Sequence, residues 1–118
     1  MAKNLNKPIR YDEFSKQLDE VGISNMQEVK LSETASIWMR LGNGIDAPDQ
    51  EEFLERINNA EGTRETAIIV LDYHPGTTGE EQLAVFEQYG GTPDRLAALW
   101  AAATRDQAER LGKLKVRR

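Results

Sequence analysis

The most strongly apolar stretch of this chain is the Ala-Ile-Ile-Val-Leu run at 67–71, and no run of consecutive apolar residues reaches 18. A membrane-spanning helix needs about 20 apolar residues, so a run of this length belongs inside a folded domain. Over five residues, periodicity does not separate a buried strand from a buried helix. The β-branched residues favour a strand at 66–72, whereas Thr63 as a cap favours a helix. In either case the sequence predicts that this run lies in the core.

Four other segments carry apolar residues at spacings of three and four, which predicts amphipathic helices. Thr78 and Glu81 form a capping box for one of them. Thr92 followed by Pro93 begins another, which continues for about five turns. The predicted helices are Tyr11–Val21, Asp46–Ala60, Thr78–Tyr89 and a long helix from Pro93 to Leu111.

Residues 24–41 contain signals for both a helix and a strand pair. Ser24 with Gln27 resembles a capping box, which would begin a helix. From Val29 onward, however, apolar and polar residues alternate, and residues 32–34 (Ser-Glu-Thr) provide a turn between two strands. Trp38 interrupts the alternation. The pattern favours a β-hairpin in residues 26–41, with the helix as the alternative.

These signals predict a mainly α fold, a small helical domain of four to five helices with a β-hairpin in residues 26–41. The alternative is an α+β fold with a strand at 66–72. A chain of 118 residues is predicted to form a single domain, 1–118. Its basic ends, about 1–9 and 113–118, are predicted to be flexible.

The charge is distributed unevenly along the chain. There are 15 basic and 20 acidic residues, a formal net charge of −5. The first ten and the last six residues contain no acid, and they hold the basic residues Lys3, Lys7, Arg10, Lys113, Lys115, Arg117 and Arg118. The remaining body is therefore strongly acidic and repels phosphate backbones. Basic ends of this kind are solvated tails, or they dock on an acidic partner or on RNA.

The sequence offers little for catalysis or for binding a cofactor. It has no cysteine, and its only histidine is His74. A metal site would require the side chains of Asp72, His74, Glu80 and Glu81 to converge, at a spacing that matches no known ligand motif. His74 directly precedes Pro75, and a histidine beside a proline is typically found in a turn. We therefore expect no catalytic residue, no cofactor and no metal, and a protein that is not an enzyme.

Paired carboxylates occur at three places in the sequence. They are Asp12-Glu13, Glu51-Glu52 and Glu80-Glu81, each in the first turn of a predicted helix. Acidic residues at that position are stabilised by the positive end of the helix dipole. The pairs are therefore interpreted as helix-stabilising features.

The long last helix carries more small and apolar residues than one compact neighbour requires. Several alanines surround Trp100, and tryptophan is a frequent anchor of protein interfaces. The candidate partner-binding residues are Leu96, Leu99 and Trp100 on this helix, together with Lys113, Lys115, Arg117 and Arg118 beyond it.

Residues 63–104 resemble the tail assembly chaperones of long-tailed phages. The resemblance is carried by an apolar run ending in His74-Pro75, followed by the Gly-Thr-Thr-Gly-Glu-Glu segment at 76–81 and a short helix with Leu83 and Phe86. It implies a soluble, non-catalytic adaptor that binds the tape-measure protein before the tail tube forms. The family has no catalytic residues to carry over.

The leading hypothesis is therefore a non-catalytic protein-binding adaptor or assembly factor. Its partner would be another protein, tape-measure-like if the resemblance holds, or a second copy of the chain. The alternative is a small nucleic-acid-associated subunit or regulator that uses its basic termini. An enzyme that uses a metal through His74 ranks third. The N-terminus lacks an apolar signal segment, so we expect a cytoplasmic protein without membrane contact, in a bacterial host if it is phage-derived.

Overall fold

A computed structural model describes residues 6–21, 25–42 and 46–116 of the chain. In this part of the chain, five helices and one antiparallel hairpin form, and they confirm the predicted mainly α fold. The elements in chain order are α1 Tyr11–Val21, β1 Met26–Lys30, β2 Ser36–Arg40, α2 Gln50–Asn59, α3 Thr63–Val70, α4 Gly79–Gln88 and α5 Pro93–Gly112.

The hairpin occupies the segment with conflicting signals. Val29 of β1 pairs with Ile37 of β2, in an antiparallel register that places Gln27 opposite Met39. The turn is stabilised by Ser32, whose hydroxyl accepts hydrogen bonds from the amides of the two residues that precede β2. Because Gln27 lies in β1, the alternative of a helix is wrong; its proposed cap, Ser24, lies outside the described residues.

The apolar run forms a helix, so the alternative of a strand at 66–72 is wrong. Gly62 precedes α3 with φ of 106°, a conformation that favours glycine, and it takes the N-cap position that the sequence suggested for Thr63. Within the first turn, the Thr66 hydroxyl donates to the Gly62 carbonyl, and Glu65 accepts from the Glu61 amide. This local hydrogen bonding outweighs the modest strand preference of β-branched residues.

The start of α2 differs from the prediction, whereas the starts of α4 and α5 agree with it. The sequence predicts that the helix begins at Asp46, but α2 begins at Gln50 and Asp46 adopts φ of 57°. The side chains of Thr78 and Thr92 cap α4 and α5, accepting from backbone amides three residues ahead at 3.2 and 3.1 Å. Pro93 is at the start of α5 as predicted.

The core is formed between the hairpin and helices α2 to α5. α3 lies at the centre and packs against α2, α4 and α5. Fully buried apolar side chains come from every one of these elements, and they include Met39, Phe53, Val70, Leu83 and Leu96. The predicted core position of the 67–71 run is confirmed, since Ala67, Ile69, Val70 and Leu71 are all buried.

Helix α1 packs against α5, at some distance from the centre of the core. Its Gln17 side chain holds the backbone of Lys115: the Gln17 amide nitrogen donates to the Lys115 carbonyl at 2.7 Å, and the Lys115 amide donates back at 3.0 Å. The segment after α5 is thus attached to α1 through its backbone, while the side chains of Lys113 and Lys115 are exposed. Flexibility of the two basic ends stays a prediction.

A buried arginine joins the hairpin to the start of α2. Arg40, only 4% exposed, lies over the rings of Phe53 and Tyr73 and forms an ion pair with Asp49 at 2.9 Å. It also donates to the Gln50 side chain at 3.0 Å. The hydrogen bond from Arg40 holds the pKa of the Asp49 carboxyl below its usual range.

This ion pair makes stability depend on pH in the acid range. A carboxyl whose pKa is lower in the folded state stabilises the fold above its unfolded pKa, near about 4, and the contribution is lost as pH falls through the folded pKa. We expect Asp49→Asn to be less stable than wild type at pH 7 and the difference to shrink in acid. Thermal melts from pH 7 to below about 3 measure this. A difference that does not change with pH, or one shared by Asp19→Asn on α1, would contradict it.

Candidate partner-binding groove

An open groove of about 530 Å³ runs between α2, α3 and the start of α4. Its apolar surface comes from Ile68 and Ile69 of α3. Its polar lining is mostly acidic and consists of Glu52, Glu55, Arg56 and Asn59 of α2, Glu65 of α3 and Glu80 of α4. Four carboxylates from three helices therefore surround an apolar surface.

The wall of the groove is fixed by Asp72, which follows α3. One carboxylate oxygen of Asp72 pairs with Arg56 of α2 at 3.0 Å, and the other accepts from the Gly79 amide of α4 at 2.9 Å. A β-carbon on Gly79 would overlap the carbonyl oxygen of Ile68, so only glycine allows α4 to begin this close to α3. The three helices that carry the carboxylates are thereby held in a fixed arrangement.

Most of the negative charge in the groove is not compensated within the described part of the chain. Arg56, the one cation in the lining, is paired with Asp72 and lies over the Tyr73 ring at 5.5 Å. In residues 6–21, 25–42 and 46–116 we find no ion pair to Glu52, Glu55 or Glu80. Like charges held together this way raise the local negative potential, which attracts cations.

The two glutamates at the start of α4 have different environments. The side chain of Glu81 accepts from the Thr77 hydroxyl at 2.9 Å, and its amide donates to Thr78, so it belongs to the helix cap. Glu80 takes no part in the cap and lines the groove instead. The favourable interaction with the helix dipole is enough to explain Glu81 at the start of α4. It does not explain why Glu80 lies in the same groove as the carboxylates of α2.

The candidate residues on α5 lie mainly inside the fold. Leu96 is fully buried, so it is withdrawn from the partner surface. Trp100 is half-buried, packs edge-on against Phe53 and donates its indole N–H to the Arg40 carbonyl at 2.7 Å. Leu99 is 36% exposed and remains available for contact. Of the basic candidates, Lys113 and Lys115 are exposed, and Arg117 and Arg118 lie outside the described residues.

His74 is a packed side chain and not a free turn residue. Its ring stacks on that of Trp38, with centroids 5.1 Å apart and planes 7° from parallel. Two of the three acidic residues considered with it are otherwise engaged, since Asp72 bonds Arg56 and Gly79 while Glu81 bonds Thr77. The third, Glu80, lines the groove. Across the described ranges, no three His, Asp or Glu side chains are arranged so that they could hold a metal ion, and this includes the carboxylates of the groove.

The sequence analysis did not identify the groove, because Glu52 and Glu80 each have a local explanation at the start of a helix. The signal that points to it is the spacing of Glu52 and Glu55, which lie one turn apart on the same face of α2. A helix dipole explains acids in the first turn only, and Glu55 lies beyond it.

Comparison with known proteins gives no relative for this chain. No protein-family model matches it, and no curated protein or solved structure matches it significantly. Within the described residues, none of the helices has both the length and the apolar character to cross a membrane.

Proposed function

We propose that this protein is a non-catalytic protein-binding adaptor or assembly factor, and that the groove between α2, α3 and α4 is its docking surface. The observation that supports this most is the pairing of an apolar surface with uncompensated carboxylates. An apolar surface gives a protein partner area to bury, and the carboxylates around it select a cationic one.

The charge of the groove also favours a protein over a nucleic acid. Phosphate backbones would be repelled by Glu52, Glu55 and Glu80, whereas lysine and arginine side chains of a protein would be attracted. The finer proposal, carried by the resemblance of residues 63–104, is a phage tail assembly chaperone that binds the tape-measure protein. A partner of that kind would present basic and apolar residues together.

A second candidate function uses the basic ends of the chain. The side chains of Lys113 and Lys115 are exposed, so they are available to phosphates. In this case the protein would be a nucleic-acid-associated subunit, and its binding would weaken steeply with added salt.

Titration of the purified protein separates the two functions. The probes are the proteins encoded next to its gene, beginning with any tape-measure-like one, and fluorescently labelled duplex DNA and single-stranded RNA. At about 0.15 M salt we expect one of the proteins to bind and neither nucleic acid to bind. Binding of DNA or RNA that is lost in Lys113→Ala/Lys115→Ala would favour the second function, and absence of any protein partner would contradict the first.

A further inference from the structure

The basic segment at 113–118 has the composition that the groove would accept. It reads Lys-Leu-Lys-Val-Arg-Arg, so cationic and apolar residues alternate and no acid is present. In an extended segment, alternate side chains point to opposite sides. Leu114 and Val116 would therefore share one side, and Lys113, Lys115 and Arg117 the other.

The described part of this segment, residues 113–116, does not line the groove of its own chain. Lys113 and Leu114 lie beside Gln17 and Glu20 of α1, where they line a different surface depression. None of the residues of that depression belongs to the groove. The bonds from Gln17 hold only the backbone of Lys115, and Val116 is 46% exposed. In the described part of the segment, the side chains of Lys113, Lys115 and Val116 are thus exposed, and that of Leu114 is half-buried.

We propose that the acidic groove of one copy receives the basic segment 113–118 of a second copy. This inference rests on the proposed role of the groove as a docking surface. The carboxylates of Glu52, Glu55 and Glu80 face the cations of the segment, and Ile68 of the groove packs against its apolar side. Every copy carries both the acidic groove and a basic, partly apolar segment, and this charge complementarity is the argument for a second copy as the occupant.

The arrangement determines the kind of assembly that forms. The groove and the segment are different surfaces, so each copy offers one of each and the contact is heterologous. Copies then add head to tail, giving open chains or a closed ring. Because the contact is largely between exposed charges, it weakens as salt shortens the screening distance. A protein partner with a stronger basic and apolar segment would displace the second copy from the groove.

Sedimentation velocity of the full-length protein tests the proposal. At about 0.05 M salt we expect the mean sedimentation coefficient to rise with protein concentration, and at about 0.5 M salt to stay at the monomer value. A monomer at every concentration in low salt would overturn the proposal. So would association that salt does not weaken, since it would have to arise from another surface.

Matched charge reversals identify the surfaces involved. Glu52→Lys/Glu55→Lys in the groove and Lys113→Glu/Lys115→Glu in the segment should each raise the dissociation constant about tenfold or more. Mixing the two reversed proteins should restore association, because each then offers the charge that the other lacks. The control Glu28→Lys/Glu33→Lys places the same charge change on exposed residues of the hairpin and should associate like wild type.

The failure of this inference is distinguishable from that of the proposed function. If the chain stays monomeric but a protein partner binds in the groove, the proposal of a second copy as occupant is wrong, while the proposal of the groove as a docking surface is supported. If the control reversal reduces association as much as the groove reversal, net charge alone is responsible and the inference is overturned. Failure of the mixed reversed proteins to associate overturns it as well.

Discussion

Replacing Gln82 by leucine is expected to lower the free energy of unfolding by about 3–5 kcal/mol. Gln82 is a buried side chain of α4. Its oxygen accepts from the Trp38 amide at 2.8 Å, and its nitrogen donates to the carbonyls of Trp38 at 3.0 Å and Leu71 at 2.6 Å. One amide thus satisfies three backbone groups, joining the edge of β2 to the end of α3.

The size of the effect follows from what the substitution leaves behind. Leucine has nearly the volume of glutamine, so the space stays filled, but the three backbone groups lose their partner. Each buried polar group without a partner costs about 1–3 kcal/mol. The loss also weakens the docking of β2, and with it the stacking of Trp38 on His74.

Equilibrium denaturation of Gln82→Leu and Gln88→Leu measures this prediction. Gln88 lies on the same helix and is exposed, so the same substitution there should change stability by no more than about 0.5 kcal/mol. If Gln82→Leu is within about 1 kcal/mol of wild type, water replaces the amide, and the bridge between β2 and α3 is not a major source of stability.

Local sequence signals predicted the helix ends that depend on local chemistry. Thr78 and Thr92 cap α4 and α5 because each hydroxyl accepts from an amide only three residues ahead. The start of α2 was missed for the opposite reason. The carboxylate of Asp49, at its N-cap position, is bound by Arg40 from the hairpin. A contact between separate elements is not visible in the sequence around either residue.

The bridging role of Gln82 shows the same limit more clearly. Nothing in the sequence around Gln82 indicates that its side chain is buried. Its partner Trp38 is 44 residues away along the chain. For α3, composition was misleading: isoleucine and valine favour strands, but the turn at Gly62 and the contacts of Glu65 and Thr66 begin a helix.

The groove depends on how three helices are arranged, so it could not be predicted from the sequence around any one of its residues. Glu52 and Glu80 each suit the start of a helix, and nothing near either residue indicates that the two converge. The interpretation of Trp100 was limited for a different reason. Its spacing correctly placed it on a helix with an apolar side, but spacing does not say whether a tryptophan faces its own core or a partner. The bond to the Arg40 carbonyl directs its indole N–H inward.

Reversing the charge of the groove is expected to abolish most of the affinity for a protein partner. Glu52 and Glu55 are exposed and have no ion pair in the described part of the chain, so their replacement by lysine should leave the fold intact. Each reversal replaces an attraction with a repulsion. For a cationic partner, the two together should weaken binding by about tenfold or more.

The direct measurement is the dissociation constant of the identified partner for three proteins, determined by calorimetry at one salt concentration. They are wild type, Glu52→Lys/Glu55→Lys and the control Glu28→Lys/Glu33→Lys, whose charge change is the same but lies on the hairpin. If the groove is the docking surface, the groove variant binds about tenfold more weakly or worse, while the control binds like wild type. Equal affinity of all three proteins would contradict the assignment of the groove.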